Sequence, residues 1–202
     1  MTSIRFPEPK YRSDMSIEQA LLERRSIRDY GTEPLTFADV GQLLWAAQGI
    51  TKPGGYTVTL RTAPSAGALY PLELYLAVGN ADDLLAGVYK YEPLKHALNL
   101  IAEGDIRDEL CRAALRQSCI RDAAMVMVFS AVYERATKYY GERGIRYLYM
   151  EVGHAAQNVH LQVISLNLGT VVIGAFDDAG VKRILNMEDN EEPLYLMPIG
   201  RL

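Results

Sequence analysis

The chain has 202 residues, 49% hydrophobic and 23% charged, and 21 basic against 25 acidic side chains leave a net charge of −4. That composition and length fit one domain, 1–202, able to bury roughly 70% of its unfolded surface; they exclude disorder, and no apolar run approaches the ~20 residues of a membrane-spanning helix. The acidic balance disfavours a broad footprint for nucleic acid, so any anion site must be a local arginine cluster. Residues 1–15 read as an extended, polar leader without the apolar stretch of a signal peptide, and Cys111 and Cys119 are too few for a disulfide framework, so a cytoplasmic protein is expected.

Ser16, with Gln19 three residues on, reads as a capping box for a short helix that starts at Ile17 and ends near Arg24. Thr36 and Asp39 start a second helix, whose apolar positions Phe37, Val40, Leu43, Leu44 and Ala47 run to about Gln48 before Gly49. Residues 50–71 read as loop. Leu72–Val78, residues 88–91 and residues 97–101 read as a strand meander turned at Pro93. Asp105 is expected to cap a helix from Ile106 to about Gln117, and residues 123–132 form a buried strand. From Ile145 a stripe of Leu148, Tyr149, Val152, Ala155, Ala156, Val159, Val163 and Leu166 predicts a helix ~33 Å long with Gly169 as its C-cap. Met150, Leu161 and Ile164 fall off that stripe, which predicts burial on two sides and a core shared with a second subunit. Residues 170–176 read as a strand or strand end, Asp177 or Asp178 caps a short helix to about Leu185, and residues 194–200 close the chain as a strand. Strands grouped mid-chain and at the end, among helices, predict an α+β fold.

Arg24, Arg25, Ser26 and Arg28 place three guanidiniums and a hydroxyl within five residues, enough to chelate a phosphate, although the same residues suit a solvated basic helix end. Pro64, Ser65, Ala66 and Gly67, with Ala68, form a small-residue loop that lets backbone approach a flat ligand, or simply a turn. Gly174 after a β-branched run reads either as bare backbone against a ligand or as a bulge. Glu151 and His154 have Glu-x-x-His spacing but in one copy, whereas di-iron bundles need two; His154 and His160 lie about 120° apart on a helix, which argues for a hydrogen-bonded core or interface role and no metal site. Neither a dinucleotide fingerprint nor a P-loop is present. The two cysteines read as buried small apolar residues.

Six segments, RRSIRDY, LLWAAQGIT, RTAPSAGALYPLELYLAV, YLYMEVGHAAQNVHLQ, LNLGTVVIGAFDD and PLYLMPIGR, resemble in order and spacing the flavin-dependent nitroreductase superfamily. LLWAAQGIT, PSAGALYPLE and RATKYYGERGIRY are similar to its branch of SagB-type azoline (thiazoline and oxazoline) dehydrogenases of modified-peptide synthesis. The resemblance implies a nitroreductase-like α+β fold, a central mostly antiparallel sheet flanked by helices, and an interlocked homodimer with FMN at the interface. It implies that Arg24, Ser26 and Arg28, with Arg25 beside them, hold the FMN phosphate and the polar edge of the ring. Pro64, Ser65, Ala66 and Gly67 of the other subunit would line the flavin, Ile173, Gly174 and Ala175 would run along it, and Arg201 would reach the phosphate. Lys138 and Tyr139 match a Lys-Tyr pair of the azoline dehydrogenases, a base and the group that orients it, although a solvated helix end accounts for them equally. The implied substrates are NAD(P)H and a small organic molecule or peptide, with azole formation or a non-catalytic flavin-binding subunit as the alternatives. Ala68 stands where an asparagine is frequent and Leu72 where an aromatic is, so nitroaromatic preferences do not transfer. The chain's end at Leu202 places more weight on Arg24 and Arg28.

Overall fold

The computed structural model describes residues 3–53 and 59–202. Strand β1 (Ser3–Arg5) opens the chain, followed by helices α1 (Ile17–Glu23) and α2 (Phe37–Gln48) and a ribbon of β2 (Ile50–Lys52) and β3 (Leu60–Arg61). Next come β4 (Leu72–Val78), β5 (Gly87–Glu92), β6 (Ala97–Glu103), α3 (Arg107–Ala113), α4 (Cys119–Asp122) and β7 (Met125–Val132). Helices α5 (Tyr133–Tyr140) and α6 (Arg143–Ser165), strand β8 (Leu168–Thr170), helix α7 (Asp178–Ile184) and strand β9 (Glu191–Arg201) complete it. The seven strands of the main sheet are ordered β1-β6-β5-β4-β7-β9-β8 and every pairing between them is antiparallel. The leader is therefore not merely extended, because its start adds an edge strand.

Central strands β4 and β7 are apolar on both faces because helices cover both. On one face α2 and α6 pack Leu43, Leu44, Val152 and Val159 against Leu74, Leu76, Met127 and Phe129. On the other, α3, α4 and α7 bring Leu110, Ile120 and Val181 to Tyr75, Val126 and Val128. Among the described residues no helix is long and apolar enough to cross a membrane.

The capping box of α2 is complete in both directions. That of α1 is half made: Ser16 accepts from the Gln19 amide, but the Gln19 side chain turns to Glu23 at 2.6 Å. The segment read as loop from 50 to 71 contains the β2–β3 ribbon, with residues 54–58 outside the described part. The helix expected to reach Gln117 stops at Ala113, because Leu115 and Arg116 take left-handed backbone (φ +56° and +60°) and the Arg116 amide closes back on the Cys111 carbonyl.

Helix α6 ends at Ser165, short of Gly169. Asn167 takes the left-handed cap (φ +54°), a conformation asparagine tolerates, and this frees Gly169 for β8, where a Cβ would come within 2.7 Å of Ile27. Tyr149 and Met150 are each 53% exposed, so this chain alone buries one flank of α6 and leaves the other open. Val159 belongs to the chain's own core. Of the strand expected over 170–176, only Thr170 is in the ladder; Ile173 meets Leu196 as an isolated bridge.

Candidate active site

The small-residue loop at Pro64–Ala68 closes in a short 3-10 turn over Ala66–Ala68. Gly67 has φ +62°, a backbone conformation that favours glycine, and a Cβ there would lie 2.8 Å from the Tyr140 hydroxyl, so α5 approaches the loop closely at this point. Ala68 and Tyr70 also take left-handed backbone, at φ +51° and +46°, which costs non-glycine residues free energy and persists only where the surroundings enforce it. Ser65 supplies part of that enforcement, its hydroxyl oxygen accepting the Tyr70 amide at 2.9 Å.

Beneath the loop lies a buried polar cluster that sequence reasoning missed. Arg61 donates to Gln48 at 2.9 Å, and its guanidinium covers the Tyr70 ring at 4.6 Å. Glu151 on α6 is 3% exposed, and burial pushes its carboxyl up to about 7 against the opposing pull of the Ser65 hydroxyl and the Arg61 charge. Glu151 Oε1, Arg61 Nε and Gln48 Nε2 are buried without a hydrogen-bond partner among the described residues. The available signal was periodicity: Glu151 stands three residues after Leu148 and four before Ala155, on the apolar stripe, where an unpaired carboxylate does not belong.

The arginine cluster follows α1. Ile27 donates to Thr170 and Gly31 to Arg201, which lays residues 24–31 along the end of β8 and β9. Arg25 spends its guanidinium on the Leu22 and Arg24 carbonyls at the helix end, matching the helix-end reading for that residue. Arg24 and Arg28 have no ion pair among the described residues. The Arg24 charge acts on α6: His160 is pushed down to about 4 by burial and, second, by Arg24. His160 takes the core place expected of it, with Nδ1 buried and without a hydrogen-bond partner among the described residues, while His154 is exposed. Ser26 is exposed. Arg201 pairs with Asp39 at 2.7 Å and donates to the Pro34 carbonyl, which ties β9 to the start of α2.

Ile173 exchanges both backbone hydrogen bonds with Leu196 and is buried. Gly174 and Ala175 then emerge exposed, and no acceptor among the described residues takes their amides. Two open donors on bare backbone can stabilise negative charge on a ligand edge. Lys138 is 78% exposed and pairs with Glu134 one turn back, and Tyr139 is also exposed. Their neighbour Tyr140 is what reaches Gly67, so the end of α5 stands beside the small-residue loop. Both cysteines are buried and free, as expected of small apolar residues. A cleft of about 670 Å³ between leader residues 10–15, Trp45 and the end of α6 contains none of the expected site residues.

The chain belongs to the nitroreductase family, whose profile matches residues 21–201. It is 46% identical over 188 residues to a candidate nitroreductase of Methanocaldococcus jannaschii, covering 93% of this chain and 92% of that one. A solved candidate nitroreductase of Ralstonia eutropha superposes with a TM-score of 0.85 at 30% identity, over 98% of this chain and 89% of the other. The microcin B17-processing protein McbC of Escherichia coli is 30% identical over 82% of this chain, which spans only 62% of McbC. A chain of the E. coli McbBCD microcin synthetase complex with truncated pro-MccB17 bound gives a TM-score of 0.74 at 27% identity, over 96% of this chain and 76% of that one.

Proposed function

We propose that this nitroreductase-family chain is an FMN-dependent oxidoreductase that works as a homodimer, taking hydride from NAD(P)H or an organic substrate. The observation that carries the reading is the exposed Gly174–Ala175 step, whose two open amides suit a flat ligand that gains negative charge. Bound FMN would supply hydride acceptance and donation, chemistry no side chain offers. The chain's own residues hold and orient it: Arg24 and Arg28 carry uncommitted guanidiniums for a phosphate, with Ser26 exposed between them. Pro64, Ser65, Ala66 and Gly67 contribute backbone and small side chains, since the Ser65 oxygen already accepts from Tyr70. Arg25 and Arg201 support the site from behind, because their guanidiniums are engaged with the chain itself.

The exposed Tyr149 and Met150 on α6, with Ile17, Leu21 and Leu22 exposed on α1, give a second copy an apolar surface to cover. A site divided between two copies also accounts for expected site residues that form no enclosed cavity in one chain.

A second reading, azoline-to-azole dehydrogenation on a modified peptide, is favoured by the likeness to McbC and by the exposed Lys138 and Tyr139 on the helix whose Tyr140 reaches Gly67 of the loop. In that reaction the substrate ring would pass a hydride to bound FMN and a proton to Lys138 as the free amine, released from its pairing with Glu134, with Tyr139 orienting it. The test is direct: the purified protein should be yellow and release FMN, and NAD(P)H should bleach it anaerobically. Azole formation on a cyclised peptide would select the second reading. Extraction of FAD alone, or no flavin after reconstitution, would overturn both.

A further inference from the structure

Tyr70 is held by every handle it has. Its amide donates to Ser65, its hydroxyl accepts from the Arg61 amide at 3.2 Å, its ring lies under the Arg61 guanidinium, and its carbonyl accepts from Arg135 Nη1 at 3.0 Å. Three of these contacts come from the same stretch of chain. The fourth comes from α5, and the other arm of the Arg135 guanidinium pairs with Glu73 on central strand β4. A guanidinium is a planar fork, so one side chain fixes carboxylate and carbonyl in a single geometry.

We propose that Arg135 is a positioning residue that locks the Pro64–Tyr70 loop to α5, so that the loop and the helix carrying Lys138 and Tyr139 hold one fixed relation. The strained backbone at Ala68 and Tyr70 needs such a lock, because left-handed non-glycine residues relax when a tether is removed. A second contact supports the joint: Tyr140, five residues along α5, presses its hydroxyl against Gly67. Glu73 aligns the guanidinium from the sheet, with Lys90 4.0 Å behind it. The purpose of the lock rests on the FMN reading above; its mechanics rest on this chain alone.

The test uses Arg135→Ala, Arg135→Lys and Glu73→Gln in the full chain, read by hydrogen exchange without FMN and by FMN titration. Loss of the charge-assisted bond to Tyr70 should speed exchange over residues 64–71 about tenfold or more and raise the FMN dissociation constant about tenfold, with β4 and β7 unchanged. Arg135→Lys, which keeps the charge and loses the fork, should fall between Arg135→Ala and wild type. Should Arg135→Ala not fold, Glu73→Gln is read instead, with a smaller change in the same direction. Exchange over 64–71 within twofold of wild type would overturn the proposal, as would equal acceleration throughout β4 and β7, the mark of a merely structural bond. If wild-type protein binds no FMN, the FMN reading fails, and exchange in the loop still decides the lock.

Discussion

Glu151 and His160 lie on one helix with opposite linkage to pH, and Glu151→Gln separates them. The Glu151 carboxyl rises from 4.5 to about 7 on folding, chiefly through burial. Between those values the unfolded chain releases a proton that the folded chain keeps, so stability falls as pH rises through the window, by at most about 3 kcal/mol. His160 falls from 6.5 to about 4. There the unfolded chain takes up a proton that the folded chain refuses, so stability falls as pH drops, by about 2 kcal/mol after solvent screening. The two slopes oppose one another between pH 4.5 and 6.5, and the wild-type profile should be nearly flat there. Glu151→Gln keeps the shape and an oxygen for Ser65 but removes the titration, which should unmask the His160 slope. Relative to wild type, the variant should gain about 2 to 3 kcal/mol between pH 4.5 and pH 8. Urea unfolding followed by circular dichroism at fixed protein concentration measures this, the fixed concentration removing any effect of self-association. A difference between variant and wild type that stays constant within about 0.5 kcal/mol across that range would refute the assignment of a buried, protonated Glu151.

Arg24→Ala should weaken FMN binding on the order of tenfold to a hundredfold, measured by flavin fluorescence titration, and should raise the His160 pKa by NMR because a neighbouring positive charge is gone. Lys138→Ala should leave FMN content intact and lower azoline dehydrogenation roughly 100-fold, with Tyr139→Phe costing less; unchanged turnover in both would make the pair structural. Gly144→Ala should destabilise the fold by about 1–3 kcal/mol, since its Cβ would meet the Ala136 backbone at 2.7 Å where α5 packs on α6, and a thermal melt reads the loss.

Elements were legible in the sequence where local signals and tertiary packing agree. Helix α2 has its capping box, its apolar period and Gly49 after its last residue, and Leu72–Val78 is the strand expected, because a run apolar on both faces has to lie mid-sheet. Boundaries failed where a non-glycine residue took left-handed backbone. Asn167 ended α6 before the glycine that looked like its cap, and Leu115 and Arg116 broke a helix whose composition favours continuation. Asn167 was a local signal overshadowed by the glycine two residues on, whereas the left-handed Leu115 and Arg116 are enforced by the tertiary environment and no window of local sequence contains them. The two-sided burial expected of α6 is a related case: periodicity counts apolar positions without saying which molecule covers them, and Tyr149 and Met150 are open in this chain.

Site residues followed a different rule. Under the proposed flavin reading, the residues that a ligand would touch stand out by type, as arginines in a cluster or small residues between prolines. Those that hold them in place do not. Arg61, Tyr70, Glu73 and Arg135 look like ordinary residues of strand, turn and helix, and only the fold brings them together from distant parts of the chain. Helix α6 links the two halves of the site in the same silent way: Glu151 lies under the loop and His160 under Arg24. Nine residues of helix space these contacts about 13 Å apart on one rigid axis. Both side chains stay buried with a polar atom unpaired among the described residues, a cost that a helix selected for packing alone would shed by substitution. The cost is understandable if the charges above them, on Arg24 and Arg61, have to be held in place yet left partly unneutralised for a ligand.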